Sequence, residues 1–379
     1  MAVLDTEFGL YVHWPFCQSK CPYCDFNSHV QASVDQSAWR SAFRKEIARV
    51  GKLVGPRVLN TIYFGGGTPS LMEGETVGAI INAAREQWAF ANDIEITLEA
   101  NPGSVEVSRF EEYQRVGVNR VSIGVQALVQ DDLKRLGRLH STEEALAALD
   151  IAKEIFDRVS FDLIYSRQDQ SLNAWREELS RALEIGSGHM SLYQLTIEDG
   201  TAFGDRFARG MLRGLPNEDL STDMYFTTQE MMSQAGLPAY EISNHALPGQ
   251  ESRHNLLYWS GGDYAGIGPG AHGRLTIGGQ RFATVSKSMP RHWLDAAEHG
   301  NADQEFDLLS AKDIVTERLL MGLRIDKGVD LADLPSGKTE ILNNIKHLEQ
   351  NHFLLDGTRL SITNEGRPLL NAILSRLLT

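Results

Sequence analysis

Cys17, Cys21 and Cys24 are the only cysteines in the 379-residue sequence, and they fall within one eight-residue stretch as Cys-x3-Cys-x2-Cys. An odd number of thiols packed this tightly makes a poor disulfide framework and reads as a metal site. Three randomly placed buried thiols would seldom fall so close together, so that bland reading is disfavoured. Zinc sites use four protein ligands, usually paired Cys-x2-Cys or Cys/His sets, so three thiolates leave zinc one ligand short. His13 and His29 are near enough in sequence to fill in, which keeps zinc open as the metal alternative. A cubane iron–sulfur cluster can be held by three thiolates, leaving one iron open to a small-molecule group. Such a cluster is expected to bleach in air.

Two further features carry chemistry without the cysteines. Gly65-Gly66-Gly67-Thr68-Pro69 follows the apolar run Asn60 to Phe64. Glycines let the backbone approach a ligand and present N–H groups to a carboxylate. The spacing fits neither a Rossmann nor a P-loop fingerprint. Glu99 stands at the end of another apolar run, where a carboxylate can accept both hydroxyls of a ribose. Taken alone, each is as well explained by a turn or by an exposed strand-end acid.

These residues need elements to hold them. Strands are predicted at Gly9 to Trp14, Asn60 to Phe64, Ile94 to Glu99, Arg120 to Gly124, Val159 to Ile164 and His189 to Leu195. Helices are predicted between them, at Val34 to Val54, Glu75 to Trp88, Val105 to Val116, Asp131 to Leu136, Thr142 to Phe156 and Leu172 to Ile185. Strands separated by helices of this length indicate parallel βαβ units. Six units fit a partial (β/α)6 TIM-like barrel better than a closed eight-fold one, an α/β fold whose chemistry gathers at the carboxyl ends of the strands. The cysteines, the glycines and Glu99 all fall at such ends. Beyond residue 200 the alternation stops: Glu218 to Gln234 and Ala311 to Met321 are helical, and 239–285 suggests loops and an irregular sheet. A hairpin at Phe353 to Ile362 suggests a small C-terminal α+β unit of winged-helix type.

The run Tyr11-Val-His-Trp-Pro-Phe-Cys17-x3-Cys21-Pro-Tyr23-Cys24, with Gly66-Gly67-Thr68-Pro69 in the next βα unit, resembles the signature of the radical S-adenosylmethionine (SAM) family. Within it, the branch of oxygen-independent coproporphyrinogen III dehydrogenases and heme chaperones is most similar. The resemblance implies a 4Fe-4S cluster on Cys17, Cys21 and Cys24, whose open iron binds SAM, and an electron that cleaves SAM to a 5′-deoxyadenosyl radical. It implies that Tyr23 contacts the adenine, and that Tyr11, Gly66, Gly67 and Thr68 meet the methionine end. It also implies that Glu99 takes the ribose, and that Gln126, Arg138 and Asp162 make further SAM contacts, with Arg138 forking onto a carboxylate. The branch usually carries a glycine- and proline-containing turn after Asp-Leu-Ile-Tyr; here that turn is Ser166-Arg-Gln-Asp-Gln170, with neither.

Two absences favour the chaperones over the dehydrogenases: Cys24 is followed by Asp25-Phe26-Asn27 rather than by a nearby fourth cysteine, and the first strand begins near residue 9. His254-Asn255-Leu-Leu-Tyr258-Trp259 resembles the HNxxYW motif of the chaperones, which makes His254 and Tyr258 candidate heme contacts. A histidine can ligate heme iron and a tyrosine can pack on the porphyrin, but a structural histidine explains the residue equally well. His245 and His272 are rival ligands. The expected organisation is 1–215 as core barrel, 216–305 as the region carrying the HNxxYW motif, and 306–379 as the C-terminal unit.

The resemblance implies a protein that binds heme and passes it to apo-hemoproteins, those of the respiratory chain among them, with an electron donor for its cluster; it is compatible with a homodimer and does not fix the oligomeric state. A radical SAM oxidoreductase of a porphyrin precursor and a SAM- or metal-binding regulator stay open, and enzyme activity is undecided. The formal net charge of −14 argues against a nucleic-acid partner. Met1 to Phe8 holds no basic residue and no apolar run nears the roughly 20 residues of a membrane span, so a cytoplasmic location is expected, with at most peripheral membrane contact.

Overall fold

The computed structural model describes residues 7–104 and 107–378. Each expected βα pair forms: β1 (Phe8–Trp14) and α1 (Gln36–Val54), β2 (Val58–Gly66) and α2 (Gly74–Gln87), β3 (Ala89–Ala100) and α3 (Val107–Val116). Then follow β4 (Arg120–Gln126), α4 (Thr142–Ile155), β5 (Arg158–Tyr165), α5 (Leu172–Ile185) and β6 (His189–Gln194). The strands β1 to β6 pair parallel in chain order. The expected helix start at Val105 and the first six residues of the base-free stretch Met1 to Phe8 lie outside the described residues.

Local chemistry sets the helix ends. The Asp35 carboxylate caps α1 by accepting from the Ser37 and Ala38 N–H groups, and Ser141 with Glu144 forms a capping box on α4. Gly186 ends α5 in the left-handed conformation. The strands alternate. Leu10, Val12 and Trp14 of β1 join Ile62, Phe64, Ile96, Leu98, Val121 and Ile123 in the apolar core with the helices. The residues between them are mostly polar and interact with one another: Thr61 with His254, Tyr63 with Glu99, Arg158 with Glu95, and Ser122 with Ser160 and Asp162. Parallel strands covered on both faces usually read as continuous apolar runs. This sheet instead has an apolar outer face and a polar inner one.

The segment after residue 239 departs from the expected loops and irregular sheet. β7 (Asn244–Ala246) pairs antiparallel with β6, and β8 (Asp263–Ile267) pairs parallel with β1 on its free side. A meander of β9 (His272–Ile277), β10 (Gln280–Ser286) and β11 (Asp303–Leu308) extends the sheet further. The result is one open eleven-stranded sheet with seven parallel strands at its centre and β11 and β7 at its edges. Between β6 and β7 runs α6 (Glu218–Gln234); α7 (Arg253–Trp259) precedes β8, and α8 (Pro290–Glu298) precedes β11.

A second apolar core, including Leu319, Leu331, Ile341, Leu360 and Leu374, organises the C-terminal unit. It comprises α9 (Ala311–Gly322), α10 (Lys338–Ile345), α11 (Leu370–Leu377) and an antiparallel sheet of β12 (Val329–Asp330), β13 (Phe353–Asp356) and β14 (Arg359–Ile362) with β14 central. No described helix is long and apolar enough to cross a membrane.

Candidate functional site

The cysteine loop is rooted in aromatic packing. Trp14 and Phe16 meet edge to face at 5.2 Å, both pack on Trp39 of α1, and Trp39 stacks on Trp293 of α8 at 5.4 Å with ring planes 5° apart. Such pairs contribute roughly 0.5–1.5 kcal/mol each beyond the area they bury. Phe16–Cys17 then pairs with His29–Val30, closing the loop at its base. The Asn27 side-chain amide donates to the Pro269 and Ser288 carbonyls, each at 2.8 Å.

Within this frame the three thiols are partly exposed and unbridged, and the Cys24 N–H donates to the Cys21 carbonyl at 3.2 Å. The Thr68 hydroxyl donates to Cys17 Sγ at 3.4 Å, and an Arg138 N–H lies 3.5 Å from Cys21 Sγ. Burial pushes the Cys17 and Cys24 thiols up, while the Thr68 hydroxyl and the Phe26 backbone N–H favour their thiolates. His13 has both ring nitrogens engaged, by Tyr11 Oη at 3.0 Å and the Asn27 carbonyl at 2.9 Å. His29 Nε2 lies 3.1 Å from Asn27 Oδ1. Among the described residues no three His, Cys, Asp or Glu side chains converge on one ion-sized point. A tetrahedral zinc needs such convergence. A cluster whose thiolates each hold a different iron does not, and its sulfurs benefit from the donors already aimed at Cys17 and Cys21.

The glycine turn brings the end of β2 against the root of the loop. Gly66 has φ +111°, and a Cβ there would lie 2.6 Å from the His13 ring; one on Gly67 would lie 2.7 Å from the Phe16 carbonyl oxygen. The Gly67 N–H donates to the Trp14 carbonyl, the Thr68 N–H to that of Phe16 and the Gly66 N–H to Glu99 Oε2. These groups, expected to face a ligand carboxylate, donate within the chain instead. Glu99 also accepts from the Tyr63 hydroxyl at 2.8 Å. Desolvation, reinforced by Asp162, raises the Glu99 carboxyl to about 7, and desolvation raises Asp162 to about 6.

Gln126 ends β4 at φ +72°, a left-handed conformation that costs a non-glycine residue roughly 1–3 kcal/mol and recurs at ligand sites. Arg138 donates to the Gly124 carbonyl at 2.8 Å, and its Nε is buried without a partner. That orphan donor suits a carboxylate that forks onto the guanidinium. Tyr23 packs with Phe203 at 6.4 Å in an apolar cluster that includes Leu136 and Ile164. A small cleft lined by Ser19, Cys21, Thr68, Asn101 and Arg138 opens beside the thiols.

His254 lies behind Tyr63, on the side of that ring away from the cleft beside the thiols, and is joined to Glu99 only through it. It is 2% exposed, with Nδ1 2.7 Å from Thr61 Oγ1, its backbone N–H on Glu95 and Nε2 unpartnered. Its ring stacks on Tyr63 at 5.0 Å and Tyr11 at 6.4 Å and touches Tyr258 at 5.1 Å; Tyr258 in turn stacks on Tyr264 at 4.0 Å. Desolvation pushes the imidazole down to about 3. Nε2 is buried, so an iron porphyrin reaches it only if the groups packed around it move. His245 is fully buried beside Gln229, whereas His272 is exposed on β9.

The structure adds residues that motif reading missed: Tyr63, which bonds Glu99, and Arg120, whose charge acts on Glu95, Glu99 and Asp162. The available signal was the polar alternation itself, as in Arg120-Val-Ser122-Ile-Gly124-Val-Gln126. The glycine-free turn is built by Ser166 and Asp169 at φ +60° and +58°. It is anchored by Arg167, 3% exposed, which pairs with Glu178 and with Asp132 at 2.9 Å.

Residues 11–177 match the Radical SAM superfamily, and residues 309–369 match the HemN C-terminal domain. The chain is 37% identical over 390 residues to radical S-adenosyl methionine domain-containing protein 1, mitochondrial, of Bos taurus, covering 98% of this chain and 87% of that one. It is 42% identical over 282 residues to the heme chaperone HemW of Escherichia coli, covering 74% and 73%. Among solved structures, the coproporphyrinogen III oxidase HemN of Escherichia coli, itself a radical SAM enzyme, superimposes with TM-score 0.83 at 22% identity, over 100% of this chain and 92% of that one. At that identity the likeness speaks for the fold alone.

Proposed function

This chain belongs to the radical SAM superfamily, and on that premise we propose that it is a heme chaperone, binding heme and delivering it to apo-hemoproteins while carrying a SAM-binding 4Fe-4S cluster on Cys17, Cys21 and Cys24. The observation that carries the reading is the 42% identity to HemW across three quarters of the chain. When bound, the cluster supplies single electrons and an iron open to a small ligand. Arg138 offers its buried Nε to the carboxylate of SAM, and Glu99 accepts from its ribose. Tyr11, Tyr23, Gly66, Gly67, Thr68, Gln126 and Asp162 complete the SAM surroundings, and Tyr258 belongs to the helix that serves heme. Recipients in the respiratory chain, an electron donor, a homodimer, a cytoplasmic location and peripheral membrane contact belong to the same proposal.

The test is a hemin titration of anaerobically reconstituted protein followed at the Soret band, with a parallel assay for decarboxylation of coproporphyrinogen. Near-stoichiometric hemin binding without decarboxylation is expected. Decarboxylation without hemin binding would replace the chaperone with an oxidoreductase of a porphyrin precursor.

The ribose contact predicts a pH dependence. Ribose hydroxyls donate to an ionised Glu99, and this carboxyl, raised to about 7, is mostly protonated at pH 6. Raising the pH from 6 to 8 is therefore expected to tighten SAM binding roughly tenfold. In Glu99→Gln the trend should flatten to the smaller contribution of Asp162. Isothermal titration across this range measures it, and an undiminished trend in Glu99→Gln would remove the carboxylate from the ribose site.

A further inference from the structure

SAM on an open iron is chemistry that yields one-electron oxidants, and a carrier that makes and breaks no bond in its cargo has no substrate to consume one. Behind the carboxylate read as the ribose site runs a continuous line of rings. Tyr63, whose hydroxyl donates to Glu99 at 2.8 Å, stacks on His254 at 5.0 Å. His254 meets Tyr258 at 5.1 Å, and Tyr258 stacks on Tyr264 at 4.0 Å. Two glycines leave this line its room. A Cβ on Gly65 would lie 3.0 Å from both Tyr11 and Tyr63, and one on Gly9 would lie 2.7 Å from Thr61 Oγ1, the hydroxyl that holds His254 Nδ1.

A phenol gives up an electron near neutral pH only where its proton can leave with it. Tyr63 has the acceptor in place in Glu99, whose carboxyl, raised by burial to about 7, can take a proton and give it back. Tyr11, stacked on Tyr63 at 6.3 Å, has one too: His13 Nε2 donates to the Asn27 carbonyl, which leaves Nδ1 to accept from the Tyr11 hydroxyl. At the far end, the half-buried Tyr258 and Tyr264 line a small cleft with Arg274, Arg281 and Glu317, where a phenolic proton can pass to water. Between them His254 is neutral, because burial holds its imidazole down at about 3. The tryptophan stack behind the cysteine loop lacks such an outlet. Trp14 and Trp293 Nε1 are buried without an acceptor, so an indole oxidised there keeps its proton and hands the hole on.

Resting on the SAM-binding reading, we infer that Tyr63, His254, Tyr258 and Tyr264 form a radical relay, which draws an oxidising equivalent away from the SAM end of the sheet to the cleft at Tyr258. In the first step the oxidant gains one electron from Tyr63, and the Tyr63 proton passes to Glu99. In the second, an electron from Tyr258 reaches the Tyr63 radical through the His254 ring, Glu99 returns its proton to Tyr63, and the Tyr258 proton leaves to water. The Tyr264 ring shares the hole. A small thiol then supplies one electron and one proton to the Tyr258 radical, and two of the resulting thiyl radicals join as a disulfide. His254 bridges the two phenols and keeps its own redox state throughout.

The test uses the full chain without cluster or heme. Cys21→Ser and Cys24→Ser leave Cys17 as the only thiol, and it carries a ruthenium polypyridyl photo-oxidant. The Thr68 hydroxyl on Cys17 Sγ and the Gly66 N–H on Glu99 put that label near the carboxylate. Tyr23→Phe removes the phenol of the cysteine loop itself. After flash excitation with an oxidative quencher, transient absorption and electron paramagnetic resonance should show a tyrosyl radical that glutathione discharges. Tyr258→Phe with Tyr264→Phe should lose most of this signal, and Tyr63→Phe should delay its arrival. Tyr113→Phe, a buried phenol outside the line, should match the parent. Circular dichroism reports whether each variant folds, and Tyr258→Phe alone keeps the test readable if the double variant does not. A parent with no tyrosyl radical, or a signal that survives in Tyr258→Phe with Tyr264→Phe or falls equally in Tyr113→Phe, overturns the relay while the chaperone reading stands. A chain that assembles its cluster but binds no SAM overturns the reading on which the relay rests.

Discussion

Exchanging Cys21 for Ala is expected to empty the chain of cluster iron, from about four atoms to near none, and to leave its fold intact. Three thiolates are the fewest that hold a cubane with one open iron, and the sequence has no fourth cysteine to substitute. The fold does not depend on this thiol. It is partly exposed, and the loop is held by Trp14, Phe16, Trp39 and Trp293 at its root and by Asn27 on the Pro269 and Ser288 carbonyls. The metal-free variant should therefore unfold within about 0.5 kcal/mol of the metal-free parent. Iron and sulfide analysis after reconstitution, with urea unfolding of both apo forms, provides the check. Full iron retention in Cys21→Ala would mean that another group holds that corner.

Glu178→Ala is expected to cost roughly 3–5 kcal/mol, because it leaves the Arg167 guanidinium buried without its main partner. Glu178 accepts from Arg167, from the Leu128 N–H at 2.7 Å and from the Gln170 amide at 3.3 Å. One carboxylate thus ties the loop after β4 to the turn after β5. Asp132, at 2.9 Å, retains part of the charge balance and sets the lower bound. Replacing both partners by apolar residues, Arg167→Met with Glu178→Leu, should recover much of the loss, since no buried charge is then stranded. Urea unfolding of the two variants measures this. A Glu178→Ala midpoint equal to the parent's would mean that water already reaches the guanidinium.

The βα alternation was legible because each helix carries an apolar stripe, α1, α4 and α5 carry their own side-chain caps, and each strand has its own apolar residues; these are local signals. β8 was not legible. Asp263-Tyr-Ala-Gly-Ile267 is short, and its partner β1 lies some 250 residues earlier, so nothing near it in sequence announces a seventh parallel strand. The proposed cysteine triad stands out in the sequence because metal chemistry demands residue type and spacing together. His254 shows the opposite case: its residue type suggested a ligand, but its burial depends on Tyr11, Tyr63 and Tyr258, which three separate elements supply. The Ser166–Gln170 turn could be flagged by its missing glycine, yet the Arg167–Glu178 pair that offsets the two left-handed residues spans two elements and becomes visible only when they pack.

The position of β8 has a consequence in time. The chain is made from its N-terminus, so β1 exists as a strand edge long before Asp263 to Ile267 emerge to cover its free side. The groups that close the cysteine loop, the Pro269 and Ser288 carbonyls, follow later still. At roughly 5–20 residues per second, this separation leaves the three thiols on an unfinished edge for about 10–50 seconds. A ribosome-bound chain therefore presents three accessible cysteines well before the loop that carries them is closed, and its yield of intact protein is expected to rise with the reducing power of its surroundings while it is being made.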